Sequence, residues 1–377
     1  MAKVFVGLSG GVDSAVSAAL LQKEGHEVTG VFIRIVVPGY PCTAGQDRLD
    51  AMRVAAHLRI PFIEVDFSKE YQQKVFNVSL KEFAAGKTPN PDTLCNKEIK
   101  FGLFYNFAKS RGADFVATGH YARVAPQNDL LRVRESSAKD SLSPRAVALR
   151  SPSEDHSVSL LAGADPDKDQ SYFLWQIPET VLRHTLFPIG HLQKSQVRQL
   201  AKKFGLPNAE RPDSQGLCFL GPVSVGDMLA RELSPKPGQV LNEAGKVVGR
   251  HDGVTLYTLG QRHGFTLLAH TPETSAHFVI ARDMDRNTIT VSPNKFPTHA
   301  TRTTILLSAT NWIGPQLSKG SPCSARYRYR QALIPAVFTD RSIILEEPHY
   351  VPEGQSLVLY DGTRCLGGGV IKKSELQ

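Results

Sequence analysis

The sequence predicts an α/β protein: an N-terminal doubly wound parallel sheet, then a small β-rich unit, then a C-terminal β-barrel. Three observations carry this expectation. Short apolar runs alternate with helical patterns in the first part of the chain, and a glycine-rich turn closes the first of those runs. After Pro212 the texture changes to short apolar runs separated by Gly, Pro and Asn. Strand–helix alternation builds parallel sheets covered on both faces, whereas evenly spaced short strands build small sheets and barrels.

The elements follow in order. Val4-Phe5-Val6, Val28 to Ile33, Phe62 to Val65 and Phe115 to Ala117 read as short buried strands. Leu49, Met52, Arg53 and Ala56 recur at helical spacing, as do Phe101, Phe104, Tyr105 and Ala108. Arg134 to Asp167 is rich in Ser, Ala, Pro and scattered charge, and an irregular insertion is expected there. Helical patterns return over Gln170 to Trp175 and Ser195 to Phe204. The central unit shows Val240-Leu241, Leu256-Tyr257 and Phe278-Val279-Ile280 as strand candidates. The last unit adds Ala325 to Tyr329, Ala336 to Phe338, Ile343 to Leu345 and Leu357 to Tyr360. Domain limits are expected at residues 1–220, 221–297 and 298–377.

At 377 residues the chain is too long for one ordinary core. Its 41% hydrophobic and 21% charged content is that of a soluble folded protein and argues against disorder. No apolar stretch is long enough to span a bilayer, and the first strand begins almost at Met1. A cytoplasmic protein without a signal peptide is therefore expected, and a monomer is taken as the default. The net charge of +8 suits a polyanionic partner, although a generically basic enzyme would carry the same charge. The five cysteines (Cys42, Cys95, Cys218, Cys323 and Cys365) are an odd number and include no Cys-x-x-Cys pair. Catalytic or buried thiols are the expectation, not a disulfide framework or a zinc site, and no metal-ligating residue stands out.

Three motifs carry chemistry. Ser9-Gly10-Gly11-Val12-Asp13-Ser14 leaves the first strand and opens a helix, the arrangement of a phosphate cradle. It lacks the ending of a Walker loop and the spacing of dinucleotide folds, and it resembles the PP-loop of ATP pyrophosphatases. Thr88 to Phe101 is the second motif. Pro89 and Pro91 flank Asn90 and impose an extended loop, after which Asp92, Cys95 and Lys97 arrive at a helix start. A thiol near the positive end of a helix has a larger thiolate fraction, and polar neighbours argue against burial of Cys95 in a core. The third, Asp213 to Gly221, places Cys218 among turn formers, where strand core and reactive thiol are equal readings. Taken together, Cys95 and Cys218 permit chemistry in which one thiol carries a group and the other releases it. Arg326, Tyr327, Arg328, Tyr329 and Arg330 alternate along an expected strand, which would place the three arginines on one face.

These blocks, with Ala117 to Tyr121, Lys168 to Tyr172, Leu259 to Arg262, Arg328 to Gln331 and Leu366 to Gly369, resemble the tRNA-specific 2-thiouridylases of the PP-loop superfamily over nearly the whole chain. The resemblance implies an adenine nucleotide alpha hydrolase-like catalytic domain and the use of ATP and Mg2+. It implies adenylation of the C2 oxygen of the wobble uridine in tRNA, followed by sulfur transfer from an enzyme persulfide. By motif, Cys218 would bear the persulfide and Cys95 would attack it, leaving a transient Cys95–Cys218 disulfide. Asp92 would be the general acid/base, with Asn90 and Pro91 shaping the base pocket. Gly7, Leu8, Ser9, Gly10, Gly11, Val12, Asp13, Ser14, Ile33 and Gly119 would hold ATP. Lys168, Asp169, Gln170, Arg328, Tyr329, His120 and Gln355 would meet tRNA. A persulfide donor such as a cysteine desulfurase or a sulfur-relay protein is the implied partner. The chain departs from the pattern at Ala15 and over Phe32 to Val37, where Ile33 takes the place of an adenine-packing Met. Two alternatives remain open at this point: a PP-loop amide-forming ligase, which needs neither thiol, and a tRNA-binding protein without catalysis.

Overall fold

The computed structural model describes residues 1–41, 44–127, 157–213, 219–221, 223–268 and 276–377. Strand β1 (Lys3–Gly7) is central in a five-stranded parallel sheet, between β2 (Glu27–Arg34) and β4 (Phe115–Ala117). β3 (Phe62–Asp66) extends the sheet beyond β2, and β7 (Thr185–Leu186) extends it beyond β4. Alternation along β1 sends Val4 and Val6 to one face and Phe5 to the other. Helices Val12–Lys23, Ala44–Leu58 and Lys194–Lys203 cover the first face through Val16, Val54 and Ala201. The helical segments between residues 68 and 110 cover the second through Val75, Phe76, Ile99 and Phe104. The expected three-layer architecture is therefore present.

Three local readings differ from the structure. The expected irregular segment Arg134 to Asp167 contains a strand, β6 (Val158–Ala162), paired with β5 (Ala122–Pro126). Residues 134–156 of that segment lie outside the described residues. β6 also pairs with Arg364 and Cys365, some two hundred residues away, so nothing local announces it. Leu256-Tyr257 is not a strand; Leu256 ends a 3-10 turn, Val254–Leu256. Gln170 to Trp175 yields only the short 3-10 turn Ser171–Phe173.

The central unit is a five-stranded sheet in the order β10 (Phe265–Leu267), β9 (Val247–His251), β8 (Gly238–Leu241), β12 (Thr288–Ser292), β11 (Phe278–Asp283). In the C-terminal unit six antiparallel strands run β13 (Thr303–Trp312), β16 (Ser342–Leu345), β15 (Ile334–Phe338), β14 (Pro322–Arg326), β17 (Ser356–Asp361), β18 (Arg364–Leu376). Pairing of β13 with β18 closes the barrel. The β5–β6 hairpin adds to β18, and Phe101, Tyr172 and Trp175 share one buried cluster with Val358, Tyr360 and Cys365. The barrel and the parallel-sheet domain are thus joined by sheet pairing and by a common core. Among the described residues no helix is long and apolar enough to cross a membrane.

Candidate active site

In an open parallel sheet, a crevice forms where neighbouring strands send their connections to opposite sides. Here β1 leads on to β2 and β3, and β4 lies on the other side of β1, so the carboxyl ends of β1 and β4 flank that crevice. A cavity of about 330 Å³ opens there. Its wall includes Gly7, Leu8, Ser9, Asp13 and Ser14 from the glycine loop, Ile33 from β2, and Gly119, His120 and Gln170. Gly10, Gly11 and Val12 belong to the same turn but not to this wall. The Ser14 hydroxyl accepts a hydrogen bond from Ser9 N (3.2 Å) and donates one to Gly11 O (3.1 Å), which tightens the loop. The Gly10 carbonyl accepts from Asn208 Nδ2 at 2.7 Å. Helix Val12–Lys23 starts at Gly11, which has no side chain to satisfy the first-turn amides. An anion in the cavity would complete them. A Cβ on Gly119 would stand 2.7 Å from Ser14 N, so no side chain can separate the β4 turn from the loop.

A charged network lies beside the loop. Asp13 accepts from the Tyr121 hydroxyl (2.8 Å) and from Lys194 Nζ (2.8 and 2.9 Å). Burial, reinforced by the Asp13 carboxylate, raises the Tyr121 hydroxyl and keeps it protonated. Lys194 also reaches Asp213 at 2.9 Å, and Asp213 in turn takes Lys168 (2.9 Å) and Arg198 (2.6 Å). Burial opposes the charge of Asp213, but Lys168 and Lys194 outweigh it and hold the carboxyl below the usual range. Lys194 and Arg198 carry no motif signal in the sequence, and Tyr121 stands there only as the end of a motif block, because only the fold brings them to Asp13 and Asp213.

The second motif behaves locally as expected. Asn90 is extended (φ −113°, ψ 98°), its side chain accepts from Thr93 N at 3.1 Å, and Pro91 is the first helical residue. The helix Pro91–Cys95 continues through a π segment, Asn96–Leu103, into Phe104–Ser110. Asp92 is half-buried. Cys95, however, has no exposed surface and packs in the core with Ile99 and Phe104. The polar neighbours do not bring it out, because the helix points Lys97 to solvent and turns Cys95 inward. Cys218 lies outside the described residues.

All three units meet on the loop that feeds this helix. Thr88 N donates to Glu353 O (2.7 Å) from the barrel, and the Thr88 and Thr258 hydroxyls are 3.0 Å apart. Arg282 of the central unit donates to Gly86 O at 2.5 Å. Gln355 Oε1 accepts from the Tyr172 hydroxyl (3.0 Å) and from Asn90 Nδ2 (3.5 Å). Gly354 has φ +84°, and a Cβ there would sit 2.8 Å from Lys87 Cβ and 3.0 Å from Thr88 N.

The residues expected to meet tRNA divide into three groups. His120 is buried (8% exposed) with Nδ1 2.7 Å from Thr118 Oγ1, and burial, with Lys100 nearby, lowers its pKa well below 6.5. Gln170 accepts from Tyr121 N at 2.9 Å and lines the cavity. Asp169 is 5% exposed and bonded to Arg326, to Ser171 N and Oγ (both 3.0 Å) and to Gly163 N (2.9 Å). It ties the barrel to the parallel-sheet domain through Arg326 and is nearly enclosed. The arginine alternation is corrected as well. β14 ends at Arg326, and Tyr327 to Arg330 turn away, with Arg330 at φ 61°. Arg326 is consequently buried on Asp169, Arg328 donates to Leu259 O, and Arg330 donates to Asp167 O at 3.0 Å. The three side chains do not share a face. The Tyr329 ring packs against Phe173 at 4.8 Å.

The chain matches three family descriptions in succession: the tRNA methyl transferase HUP domain over residues 2–222, the tRNA methyl transferase PRC-barrel domain over 226–293, and the aminomethyltransferase beta-barrel domain over 302–371. It is 39% identical over 379 residues to the tRNA-specific 2-thiouridylase MnmA of Geobacillus thermodenitrificans, covering 98% of this chain and 94% of that one. It is 37% identical to the protein of that name in Enterococcus faecalis, over 99% and 96% of the two chains. Among solved structures, the NMN synthetase from Francisella tularensis is similar at a TM-score of 0.33 and 17% identity, over 60% of this chain and 72% of that one. On full-length likeness at this level of identity, the chain belongs to the tRNA-specific 2-thiouridylase family.

Proposed function

We propose that this enzyme is an ATP-dependent tRNA-uridine 2-sulfurtransferase that forms 2-thiouridine at the wobble position. The observation that carries the reading is the cavity at the β1/β4 crevice, where the glycine loop, Ile33 and Gly119 share a wall with Lys100 of the Asp92–Cys95 helical run. The fit to ATP is physical: an uncapped helix start faces the cavity, and Val31, Phe32 and Ile33 of β2 give it an apolar lining for adenine. Among the described residues no cluster of three or more His, Cys, Asp or Glu is placed to hold a metal ion. Mg2+ would enter as part of the MgATP substrate, held mainly by phosphate oxygens, where it would neutralise charge.

A urea-like carbonyl is a poor electrophile, so its oxygen must first become a leaving group. Asp92, at the helix start, takes the N3 proton while the uridine O2 attacks the α-phosphorus; the O2–phosphorus bond forms and diphosphate leaves. Cys218 carries the persulfide delivered by a donor protein. The Cys95 thiolate attacks the Cys218 sulfur, forming the Cys95–Cys218 disulfide and releasing hydrosulfide. Hydrosulfide adds to C2, the C2–O bond breaks, and AMP leaves. A thiol reductant resets the disulfide. The buried position of Cys95 protects its thiol from adventitious oxidation and requires local opening during the cycle.

The test is nucleoside mass spectrometry of tRNA incubated with the enzyme, ATP, Mg2+ and a persulfide donor. Wild type is expected to form 2-thiouridine, with Cys95→Ser and Cys218→Ser each lowering it at least about a hundredfold. Full activity in both variants would refute the two-thiol route. A deletion strain with unchanged 2-thiouridine would refute the function.

A further inference from the structure

One side chain in the cavity wall has no part in the chemistry above. Lys100 lies in the π segment Asn96–Leu103, five residues beyond Cys95, yet it faces the cavity with the glycine loop, Gly119 and His120. The π turn accounts for this: it closes i to i+5 in place of i+4, which returns Lys100 toward the flank of the helix that bears Cys95. Its Nζ stands 5.9 Å from the Phe219 ring centroid, and its charge helps to keep His120 neutral. The other charged groups in that wall are the Asp13 and Asp47 carboxylates, which contact Lys194 and Arg211 respectively. Among these wall residues, Lys100 alone is a cation facing the space that a nucleotide polyanion would fill.

Its position along the chain says which phosphate it serves. On the function proposed above, the glycine loop and the start of helix Val12–Lys23 would take the diphosphate end, and β2 the base. Lys100 belongs to the helical run headed by Asn90 and Asp92, the side from which the uridine would approach. We infer that Lys100 is a catalytic residue of the adenylation step, its ammonium binding the α-phosphate and stabilising the charge that builds there as the uridine oxygen attacks. The O2–phosphorus bond forms as the bond to diphosphate breaks, and Lys100 transfers no proton. Positive charge fixed at a developing oxyanion acts on the transition state more than on bound substrate. This assignment rests on the function proposed above.

Full-length Lys100→Met and Lys100→Arg test it. The rate of tRNA-dependent diphosphate release is measured in single turnover, and the affinity for α,β-methylene-ATP is measured separately. Lys100→Met is expected to slow diphosphate release about 10²- to 10³-fold and to weaken analogue binding less than about tenfold. Lys100→Arg, which keeps the charge, is expected to restore at least about tenfold of the lost rate. A Lys100→Met rate within about threefold of wild type overturns the assignment, and so does a rate loss matched by an equal loss of binding. If Lys100→Met does not fold, Lys100→Gln is held to the same thresholds. Wild-type enzyme that releases no diphosphate with tRNA and ATP overturns both the function and this residue's role. A normal wild type beside an unaffected variant overturns the role alone.

Discussion

Asp169 and Arg326 form the buried tie between the catalytic domain and the barrel, and removing either partner should have unequal effects. Their side chains are 6% and 10% exposed. Asp169→Ala leaves the Arg326 guanidinium inside the protein with only the Tyr360 and Ser171 hydroxyls as partners. Breaking a buried pair in this way costs about 3–5 kcal/mol, because an uncompensated charge stays desolvated. Arg326→Met leaves Asp169 with three donors, Gly163 N, Ser171 N and Ser171 Oγ. Only one charged hydrogen-bonding partner is lost, which costs about 1.5–3 kcal/mol. The double variant Asp169→Ala/Arg326→Met should cost less than the sum of the two by at least about 1 kcal/mol. Urea unfolding followed by tryptophan fluorescence reads this directly, since Trp175 lies in the same interdomain cluster as Tyr360. The reasoning fails if Asp169→Ala costs under about 1 kcal/mol, or if Arg326→Met proves the more damaging. An Asp169 that contacted tRNA at the surface would instead alter tRNA affinity and leave unfolding unchanged.

Two further outcomes follow from the same geometry. Gly354→Ala combines a left-handed backbone with a Cβ pressed on the Thr88 backbone, so it should cost about 1–3 kcal/mol locally and displace the Asn90–Asp92 turn. Thiolation kcat should fall while affinity for α,β-methylene-ATP stays constant; unchanged kcat would show that the barrel does not position that turn. The second concerns pH. Burial first, then Lys100, depresses the His120 pKa well below 6.5, so on acidification the unfolded chain takes up the proton before the folded one does. Stability should therefore be fully present above about pH 6.5 and decline as pH falls below it, with a shallower decline in His120→Asn. Equal slopes for variant and wild type in denaturation between pH 7.5 and 5.5 would count against a neutral buried imidazole.

Much of the site was legible because its residues are local in sequence. The glycine loop, the Asn90 cap with Pro91, and the strands Val4 to Val6 and Phe115 to Ala117 all obey rules set by neighbours a few residues apart. Where contacts run over long separations, legibility ends. β6 pairs with β5 and β18, and its five residues carry no periodic signal of their own. The alternating arginines look like a strand face, but the chain turns after Arg326, where Gln331 Oε1 accepts from Tyr327 N and Arg328 N, and Arg326 itself pairs with Asp169, 157 residues earlier in the sequence.

By itself, then, the sequence determined the kind of chemistry: a phosphate cradle, a helix start bearing Asp92 and Cys95, and the family to which the motifs belong. Backbone conformation and residue type decide these, and both are local. Tertiary structure alone decided which groups are buried and what they face. It placed Cys95 in the core, paired Asp169 with Arg326, set Lys100 in one cavity wall with the glycine loop, and brought all three units onto the Gly86–Asn90 turn. Burial and charge pairing depend on surfaces brought together by the whole fold, and no window of sequence contains them.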